Sequence, residues 1–279
     1  RVGTRERHPD ADTWRTCRIA CGGYGVDIQI GTGATTVFEG ALVPVAPDNS
    51  SLHGGVKIKK GKLRGVESCG MMCSGEELGI TDDYYEGAEV NGILILDESE
   101  PVGADIRPVV GIDDYLFDIA VTANRPDCQC ILGIAREVAA VLKKPLKMPA
   151  LTYTAAQTDV KIPVEVQEPS LCPRYVGHFV KDVKIGTSPR WMRRRLALSG
   201  LRSVSDIVDI TNFVLLEMGQ PMHAFDRNFL RGGKIVVRRA EEGENIVTLD
   251  EKQFSLHPDN LLICDGEGGV APAGILGGL

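Results

Sequence analysis

Short apolar stretches separated by glycine turns run through the first hundred residues, and they indicate a β-rich region. The stretches are 17–20, 26–30, 42–45, 56–58, 70–74 and 92–96, with Gly22-Gly23 and Gly54-Gly55 among the turns. Short strands at regular spacing, bounded by turn residues, are typical of a small barrel. We therefore predict a β-barrel over residues 1–109, with Pro101 and Pro108 marking the exit from it.

The pattern changes after residue 110 to a strand, a turn and a helix. Residues 116–121 predict the strand, and the segment Asn124-Arg125-Pro126-Asp127 interrupts it. Between 131 and 142, apolar residues recur at the spacing of one helix face. Residues 110–150 are few for a domain, so we expect part of a small α/β domain completed by residues before Arg1. The turn is interpreted as a structural contact between domains or subunits, or as a ligand-binding element.

Residues 148–158 have the composition of a polar linker, and residues 151–279 mix helix and strand patterns. Segment 174–185 alternates like a strand. Ser188-Pro189 predicts an N-cap followed by proline at the first helical position, leading a basic helix to about Leu198. A second helix is predicted from Ser205 to Met218, closed by Gly219, and strands follow at 235–237, 261–263 and 270–275. The chain is therefore assigned to the α+β multidomain class.

The composition is that of a globular chain of about two domains, with 279 residues, 43% apolar and 25% charged. No window approaches the roughly 18 consecutive apolar residues of a membrane span, and neither end carries a secretory or transit pattern. We therefore expect a cytoplasmic protein with no membrane partner. An arginine as first residue and an apolar glycine run at the end favour a piece of a longer chain.

Eight cysteines raise the question of a metal site. They form the pairs Cys17/Cys21, Cys69/Cys73 and Cys128/Cys130, with Cys172 and Cys264 alone, and none has the C-x2-C spacing of a zinc ribbon or knuckle. If Cys17 to Cys21 is a strand, about 13 Å separates its thiols, which is too far for one ion. Buried, reduced cysteines are the favoured interpretation, and no metal ligand is predicted.

Charge is segregated along a chain whose net charge is −7. Residues 57–64 hold five cations and no acid, residues 190–202 hold five arginines and no acid, and residues 76–118 hold thirteen acids against Arg107 alone. Such segregation can give an acidic protein a local positive face that captures phosphates. The alternatives are two solvated faces or, for the arginine-rich helix, pairing with acids in missing parts of the protein rather than with RNA.

Several sequence motifs are not explained by the spacing of apolar residues in helices and strands. His8-Pro9-Asp10-Ala11-Asp12 with KIKKGKLRGVESCGMMCS at 57–74 resembles the tRNA-binding oligonucleotide/oligosaccharide-binding (OB) barrel of synthetase-associated proteins. The other motifs are TANRPDC at 122–128, CPRY at 172–175, VDITN at 208–212 and GQPMHAFD at 219–226. Their order along essentially the whole chain is similar to that in the β subunit of bacterial phenylalanyl-tRNA synthetase.

The resemblance implies an α2β2 tetramer that uses ATP and Mg²⁺ to attach phenylalanine to tRNA(Phe). The synthetic chemistry then belongs to the α subunit, and this chain binds no cofactor of its own. The β subunit carries the tRNA-binding barrel, here 1–109, and an editing domain that hydrolyses mischarged Tyr-tRNA, here 151–279 and truncated at its C-terminus. Editing is needed because an active site discriminates poorly against an analogue that only adds a hydroxyl, with ratios of about 100.

Individual residues take their expected roles from the same resemblance. The tRNA-binding set is Lys57, Lys59, Lys60, Lys62, Arg64 and Ser68. In the editing module, Thr211 and Asn212 line the pocket, His223 positions substrate or water, and Gly277 belongs to a small-residue wall. The family's tyrosine-recognising glutamate is expected beyond Leu279. Equally, the side chains of Thr211 and Asn212 could form local hydrogen bonds at the end of a helix instead of lining a pocket. The alternative function is a non-catalytic tRNA-binding or assembly module.

Overall fold

The computed structural model describes residues 1–9, 11–25, 27–155, 159–275 and 277–278. They form two compact units with mixed α and β structure. The first unit combines Arg1–Ile119 with Ser188–Ser203, and the second combines Ala120–Thr187 with Val204–Leu279. Residues 188–203 thus belong to the first unit although their neighbours in sequence belong to the second. No described helix is long and apolar enough to cross a membrane.

The elements are short and are numbered in chain order. The strands are β1 (Val2–His8), β2 (Ala11–Ile19), β3 (Ile28–Thr32), β4 (Val45–Pro47), β5 (Gly61–Leu63), β6 (Val66–Ser68), β7 (Gly70–Met72), β8 (Val164–Val166), β9 (Ile235–Arg239), β10 (Asn245–Val247), β11 (Gln253–Ser255), β12 (Leu261–Cys264) and β13 (Gly269–Pro272). The helices are α1 (Gly75–Leu78), α2 (Ile106–Val110), α3 (Ile131–Leu142), α4 (Arg190–Leu198) and α5 (Asp206–Met218).

Three antiparallel sheets make up the β structure of the first unit: β1-β2-β3, β4-β7 and β5-β6. Cys17, Ile19 and Ile30 point inward from β2 and β3 into a core that also holds Met72 of β7. The side chain of Gln29 on β3 donates to the carbonyl of Glu67 on β6 at 2.8 Å, and Cys69 N–H donates to Gln29 O at 2.9 Å. These sheets do not by themselves form one closed sheet, so the barrel stays a prediction.

Two strands predicted in this unit do not form, and of the stretch predicted at 42–45 only Val45 lies in a strand, where β4 begins. At 92–96 the backbone N–H groups donate in turn to Thr36 Oγ1, Cys73 O and Leu42 O, so there is no single partner strand. This segment keeps only an isolated bridge between Leu96 and Leu42. At 56–58 the chain forms an irregular hairpin around two glycines with positive φ, and again only one bridge, from Lys57 to Ser51.

The second unit is built on a four-stranded sheet in the order β13-β12-β9-β8, in which β8 runs parallel to β9 and the other pairs are antiparallel. Alternate side chains of β9 enter the two cores, with Ile235 and Val237 on one face and Val236 on the other. Strands β10 and β11 form a separate antiparallel pair. Helix α3 packs against α5.

The helix predictions are confirmed, apart from one cap. Helix α3 has the predicted limits, and α5 begins after Ser205, whose hydroxyl accepts from Val208 N–H, and ends at Gly219 with φ 75°. Helix α4 also forms, but Pro189 occupies the N-cap position without a side-chain cap hydrogen bond. Ser188 is therefore not the N-cap; it is buried one residue earlier.

The strands predicted at 116–121 and 174–185 do not form; both segments are irregular. Phe117 and Ile119, which would share one face of a strand, are 80% and 50% exposed, and Leu116, which would lie on the other face, is 71% exposed, so neither face is buried by the described residues. Val176 and Val180 in the later segment are likewise exposed. Alternation predicts a strand only where a neighbouring strand receives its hydrogen bonds.

Candidate functional site

The lysine-rich segment ends in a tight β-hairpin on the first unit. Strands β5 and β6 pair from Gly61↔Ser68 to Leu63↔Val66, and Arg64-Gly65 forms the two-residue turn between them. Both turn residues have positive φ, 49° and 87°, as a type I′ turn requires. Lys57, Lys59, Lys60, Lys62 and Arg64 are all exposed. The structure therefore brings these five predicted tRNA-binding cations together on one surface segment, which we call the basic hairpin (residues 57–68).

Buried contacts hold the basic hairpin against the sheet. A ring nitrogen of His8 lies 3.2 Å from the carbonyl oxygen of Leu63, and His8 is only 4% exposed. The hydroxyl of Ser68 donates to Gly70 O at 2.9 Å and accepts from Gly31 N–H at 3.2 Å. Ser68 is buried, so in this conformation its hydroxyl bonds to protein, and its predicted contact with a phosphate or sugar stays a prediction.

The charges of the basic hairpin are only partly neutralised. Lys60 Nζ lies 2.7 Å from Glu67 Oε1; this hydrogen bond raises the pKa of Lys60 and lowers that of Glu67. Within the described part of the chain, Lys57, Lys59 and Lys62 form no salt bridge. The guanidinium carbon of Arg64 lies 5.7 Å from the centre of the Trp14 ring. Three ammonium groups are thus available to an anionic ligand.

The second arginine-rich segment is used inside the first unit. Arg193 of α4 donates to the carbonyl of Asp82 and lies 3.7 Å from the carboxylate of Asp83. Arg194 donates to Val109 O at 2.7 Å. Arg190 lies 4.3 Å from the centre of the Tyr85 ring and 3.4 Å from Glu100. Arg190 and Arg193 therefore pair with acids of the first unit itself, which the sequence analysis did not predict, whereas the partner of Arg194 is a backbone carbonyl.

Thr211 and Asn212 lie half-buried on α5. The hydroxyl of Thr211 donates to the carbonyl of Val208 at 2.7 Å, one turn earlier, which is the local hydrogen bond expected of threonine within a helix. Asn212 makes no side-chain hydrogen bond to any described residue. Asn212 therefore has the freer polar group of the two.

His223 and Gly277 lie on irregular segments of the second unit. The exposed imidazole of His223 stacks on Phe225, with ring centres 6.0 Å apart and planes at 29°. Phe225 in turn packs on the core face of the four-stranded sheet. A Cβ placed on Gly277 would lie 2.7 Å from Leu249 Cδ1, so a larger residue there would displace Leu249.

No hydrogen bond or ring contact among the described residues joins Thr211, Asn212, His223 and Gly277. The second unit has a cavity of about 150 Å³, lined by the start of α3, residues 146–149, Leu151 and the end of α5. None of the four predicted editing residues lines it. The structure therefore locates each of them but does not assemble them into one pocket.

Comparison with known proteins is decisive for the family. The model of a putative tRNA binding domain matches residues 1–105, and that of a B3/4 domain matches residues 171–279. The phenylalanine–tRNA ligase beta subunit of Syntrophus aciditrophicus is 45% identical over 280 residues, covering 100% of this chain. That of Clostridium acetobutylicum is 48% identical over 274 residues, covering 98%. The chain belongs to the phenylalanine–tRNA ligase beta-subunit family.

The chain spans about a third of these relatives, 34% of each of the two beta subunits. The beta subunit of Hahella chejuensis, 46% identical over 274 residues, is also covered to 34% of its length. The two matched family models fall largely in different structural units, one in each. Within the beta-subunit family, the basic hairpin thus lies in the tRNA-binding match and the predicted editing residues lie in the B3/4 match.

One buried carboxylate of the B3/4 region was not predicted from the sequence. Asp265, at the end of β12, accepts hydrogen bonds from the backbone N–H and the Nε–H of Arg231, at 3.2 and 2.6 Å. It also accepts from the N–H groups of Glu267 and Gly268. Arg231 follows the segment that carries His223, so Asp265 anchors the C-terminal end of that segment to the β12–β13 turn.

Asp127, Cys128 and Glu137 place three potential metal ligands within 4.8 Å of one another in this beta-subunit chain. The guanidinium of Arg125 already binds both carboxylates, at 2.7 Å from Asp127 and 2.6 Å from Glu137. Its hydrogen bond lowers the pKa of Asp127 to about 2. The Asn124–Asp127 turn is thus closed by an ion-pair network with α3, which favours the structural interpretation over a ligand site.

We expect Cys17, Cys21, Cys69 and Cys73 to hold no zinc. Zinc binds the thiolate, and burial, which raises the pKa of Cys17 and raises that of Cys73 to about 12, makes the loss of these thiol protons less favourable. Elemental analysis of protein purified without added zinc should find less than about one equivalent per chain. Stoichiometric zinc that is lost on Cys→Ser substitution would contradict this prediction.

Proposed function

We propose that this chain binds tRNA through the basic hairpin and contributes the hydrolytic editing site of a phenylalanine–tRNA ligase. The observation that carries the first part is the exposure of five cations on one hairpin within the region matched by the tRNA-binding model. Ammonium groups on flexible stems follow a phosphate backbone without reading its sequence. The hairpin is therefore a general tRNA contact, and specificity for tRNA(Phe) comes from elsewhere in the enzyme.

The scaffold we propose for this contact is an OB-type barrel. Its support is that β3 bonds to β2 along one edge and approaches β6 and β7 along the other, so the small sheets follow one another around a common core. OB-type barrels bind nucleic acids on an exposed face and its flanking loops. In that arrangement the basic hairpin projects from the rim of the barrel.

The editing role is supported by the B3/4 match and by the four polar or small positions carried over from the family. The reaction is hydrolysis of the ester between tyrosine and the terminal adenosine of tRNA, which releases tyrosine and uncharged tRNA. This ester is activated, so positioning a water against it is sufficient without a strong base. We assign that positioning to His223, with Thr211 and Asn212 holding polar atoms of substrate or water and Gly277 leaving space.

The remaining context is proposed from the same family. The partner is the α subunit in an α2β2 tetramer, which carries out the aminoacylation with ATP and Mg²⁺ in the cytoplasm. This chain holds neither of them. A domain division at 109 and 150 is proposed for the β subunit.

Replacing Lys59, Lys60 and Lys62 together by alanine is the test of the tRNA contact. In the full β subunit bound to its α partner, the changes should weaken binding of different tRNAs about equally. A plot of the logarithm of the tRNA-binding constant against the logarithm of the salt concentration gives a straight line. If the basic hairpin neutralises about three phosphates, it contributes about −2 to −3 to the slope of that line for the wild type. Because Lys57 remains and Lys60 is paired with Glu67, the triple variant should lose the share of Lys59 and Lys62, about two thirds of that contribution, as measured by filter binding or fluorescence anisotropy across a salt series.

A matched control replaces Lys161, Lys181 and Lys184, three exposed lysines of the second unit, by alanine. This control removes the same charge but should leave the salt slope within about one unit of wild type. An unchanged slope in the Lys59/Lys60/Lys62 variant, or an equal loss in both variants, would show that the basic hairpin is not the contact.

The second candidate function is a non-catalytic tRNA-binding or assembly module. It is favoured by one observation, that the predicted editing residues share no contact among the described residues. A deacylation assay with Tyr-tRNA and Phe-tRNA on the full enzyme separates the two. Preferential hydrolysis of Tyr-tRNA that depends on the B3/4 region supports editing, and the absence of such hydrolysis supports the module.

A further inference from the structure

We propose that Trp14 is a nucleobase-stacking site beside the basic hairpin, and that Arg64 covers its ring until RNA binds. The inference rests on the proposed tRNA-binding function and extends it from phosphate contact to base contact. It assigns a ligand class, an unpaired base of RNA, to a residue that the sequence analysis did not single out.

Trp14 is one of only two tryptophans in a chain with 5% aromatic residues. It lies on β2, is only half-buried, and is not among the residues of the hydrophobic core. Its indole N–H has no acceptor among the residues that the structure describes. A large aromatic side chain on the surface of a sheet, with its polar edge free, has the features of a side chain that binds a flat ligand.

Among the described residues, Trp14 has contacts with one glycine and two arginines. Gly33 lies against the indole, since a Cβ placed on it would be 3.6 Å from Trp14 Cε2 and Nε1. The guanidinium of Arg64, at the tip of the basic hairpin, lies 5.7 Å from the ring centre. Arg15 follows in sequence and donates from Nη1 to the Trp14 carbonyl at 3.0 Å. A base on this ring would thus bring its flanking phosphates close to cations.

The contact between Arg64 and Trp14 is suited to exchange. At exposed sites a cation–π contact is weaker than the stacking of a base on an aromatic ring. An incoming base can therefore displace the guanidinium from the ring. The displaced cation stays on the hairpin tip, where it can pair with the phosphate next to that base. One weak contact is lost while a stack and an ion pair are gained.

Tight backbone geometry keeps the two partners in place. The Arg64-Gly65 turn has positive φ at both residues, and His8 contacts Leu63 O from below the hairpin. Leu63 Cδ1 lies 3.4 Å from the position of a Cβ on Gly31, so the hairpin rests directly on β3. Displacement of Arg64 therefore needs only side-chain rotation, with the hairpin backbone unchanged.

The second tryptophan makes the proposal measurable. Trp191 lies on α4 and is 51% exposed, beside Arg195. In the full β subunit with α, other tryptophans would add signal, so 5-fluorotryptophan labelling with ¹⁹F NMR resolves each indole. The Trp191→Phe and Trp14→Phe variants assign the two resonances. Single-stranded oligoribonucleotide and an abasic oligomer of the same length and charge are the two probes.

We expect the oligoribonucleotide to shift the Trp14 resonance and leave that of Trp191 unchanged, whereas the abasic oligomer binds without shifting Trp14. Trp14→Leu should weaken oligoribonucleotide binding about tenfold and leave abasic binding unchanged. Trp14→Phe, which keeps an aromatic face, should retain most of the affinity. The phenylalanine variant and the abasic probe together distinguish loss of stacking from misfolding.

The outcomes separate this inference from the function on which it rests. If both oligomers bind equally and neither shifts Trp14, the stacking site is wrong while the basic hairpin remains a phosphate contact. If neither oligomer binds, the tRNA-binding function and the stacking site fail together. If Trp14→Leu weakens both probes equally, the tryptophan supports the hairpin without touching a base, which overturns the proposal.

Discussion

Asp265→Asn is expected to lower the free energy of unfolding of the second unit by about 2 kcal/mol at pH 7. Burial alone would raise the pKa of Asp265, but hydrogen bonds from Arg231 and from backbone N–H groups outweigh it and lower the pKa to about 2. The pKa of a free aspartate is 3.8, so the charged form of Asp265 is strongly favoured in the folded protein. Asparagine keeps the shape of the side chain, but its NH₂ group would face the N–H donors of Arg231 and of the backbone, from which it cannot accept a hydrogen bond.

The sign of the pH dependence follows from that depressed pKa. Stability from the Asp265 carboxylate is fully present above the unfolded pKa of 3.8 and is lost as the pH falls through the folded pKa of about 2. The difference between wild type and Asp265→Asn should therefore be constant from pH 7 to about pH 5 and shrink between pH 4 and pH 2. Hydrogen exchange of the β12 amides in denaturant reports this unit without requiring two-state unfolding of the whole chain.

Asp259→Asn is the matched control. Asp259 is an exposed carboxylate of the same unit, 3.3 Å from both Arg239 and His257. Exposed pairs of this kind are worth little, so its loss should change stability by less than about 1 kcal/mol. An Asp265→Asn effect no larger than that of the control, or one independent of pH down to pH 2, would contradict the role assigned to the buried carboxylate.

The helices could be predicted because their signals are local. Apolar spacing gave the limits of α3, while Ser205 and Gly219 set the limits of α5 through contacts within a few residues. The basic hairpin was partly predictable for the same reason. Its lysines and Gly65 are adjacent in sequence, although nothing local indicates that Ser68 is buried.

Long-range contacts could not be predicted. Arg193 reaches Asp82 across 111 residues, and Arg231 reaches Asp265 across 34. The sequence shows the acidic and arginine-rich runs but not that they meet. The segments 116–121 and 174–185 fail for a related reason, because alternation describes a strand's faces and says nothing about a partner for its backbone. The burial of Ser68 likewise depends on a distant residue, because its hydroxyl accepts a hydrogen bond from Gly31 of β3, which lies 37 residues earlier in the sequence.

The largest effect on activity is expected at His223. In the full β subunit with α, His223→Ala should slow Tyr-tRNA deacylation about ten- to a hundredfold, a loss of about 1.4–2.7 kcal/mol of transition-state stabilisation. The imidazole is exposed and held by stacking on Phe225, so removing it should leave the fold intact while the water or the terminal adenosine loses its orientation. Single-turnover deacylation of Tyr-tRNA measures the rate.

Two comparisons make this result specific. Phenylalanine charging should be nearly unchanged in His223→Ala, because we place that chemistry on the other subunit. His178→Ala, which removes another exposed histidine of the same unit, should edit as wild type does. The positioning role assigned to His223 is wrong if the His223→Ala variant edits normally, or if phenylalanine charging falls in parallel with editing. Loss of editing alone would show that an exposed imidazole on an irregular segment becomes a positioning group once the substrate completes the site around it.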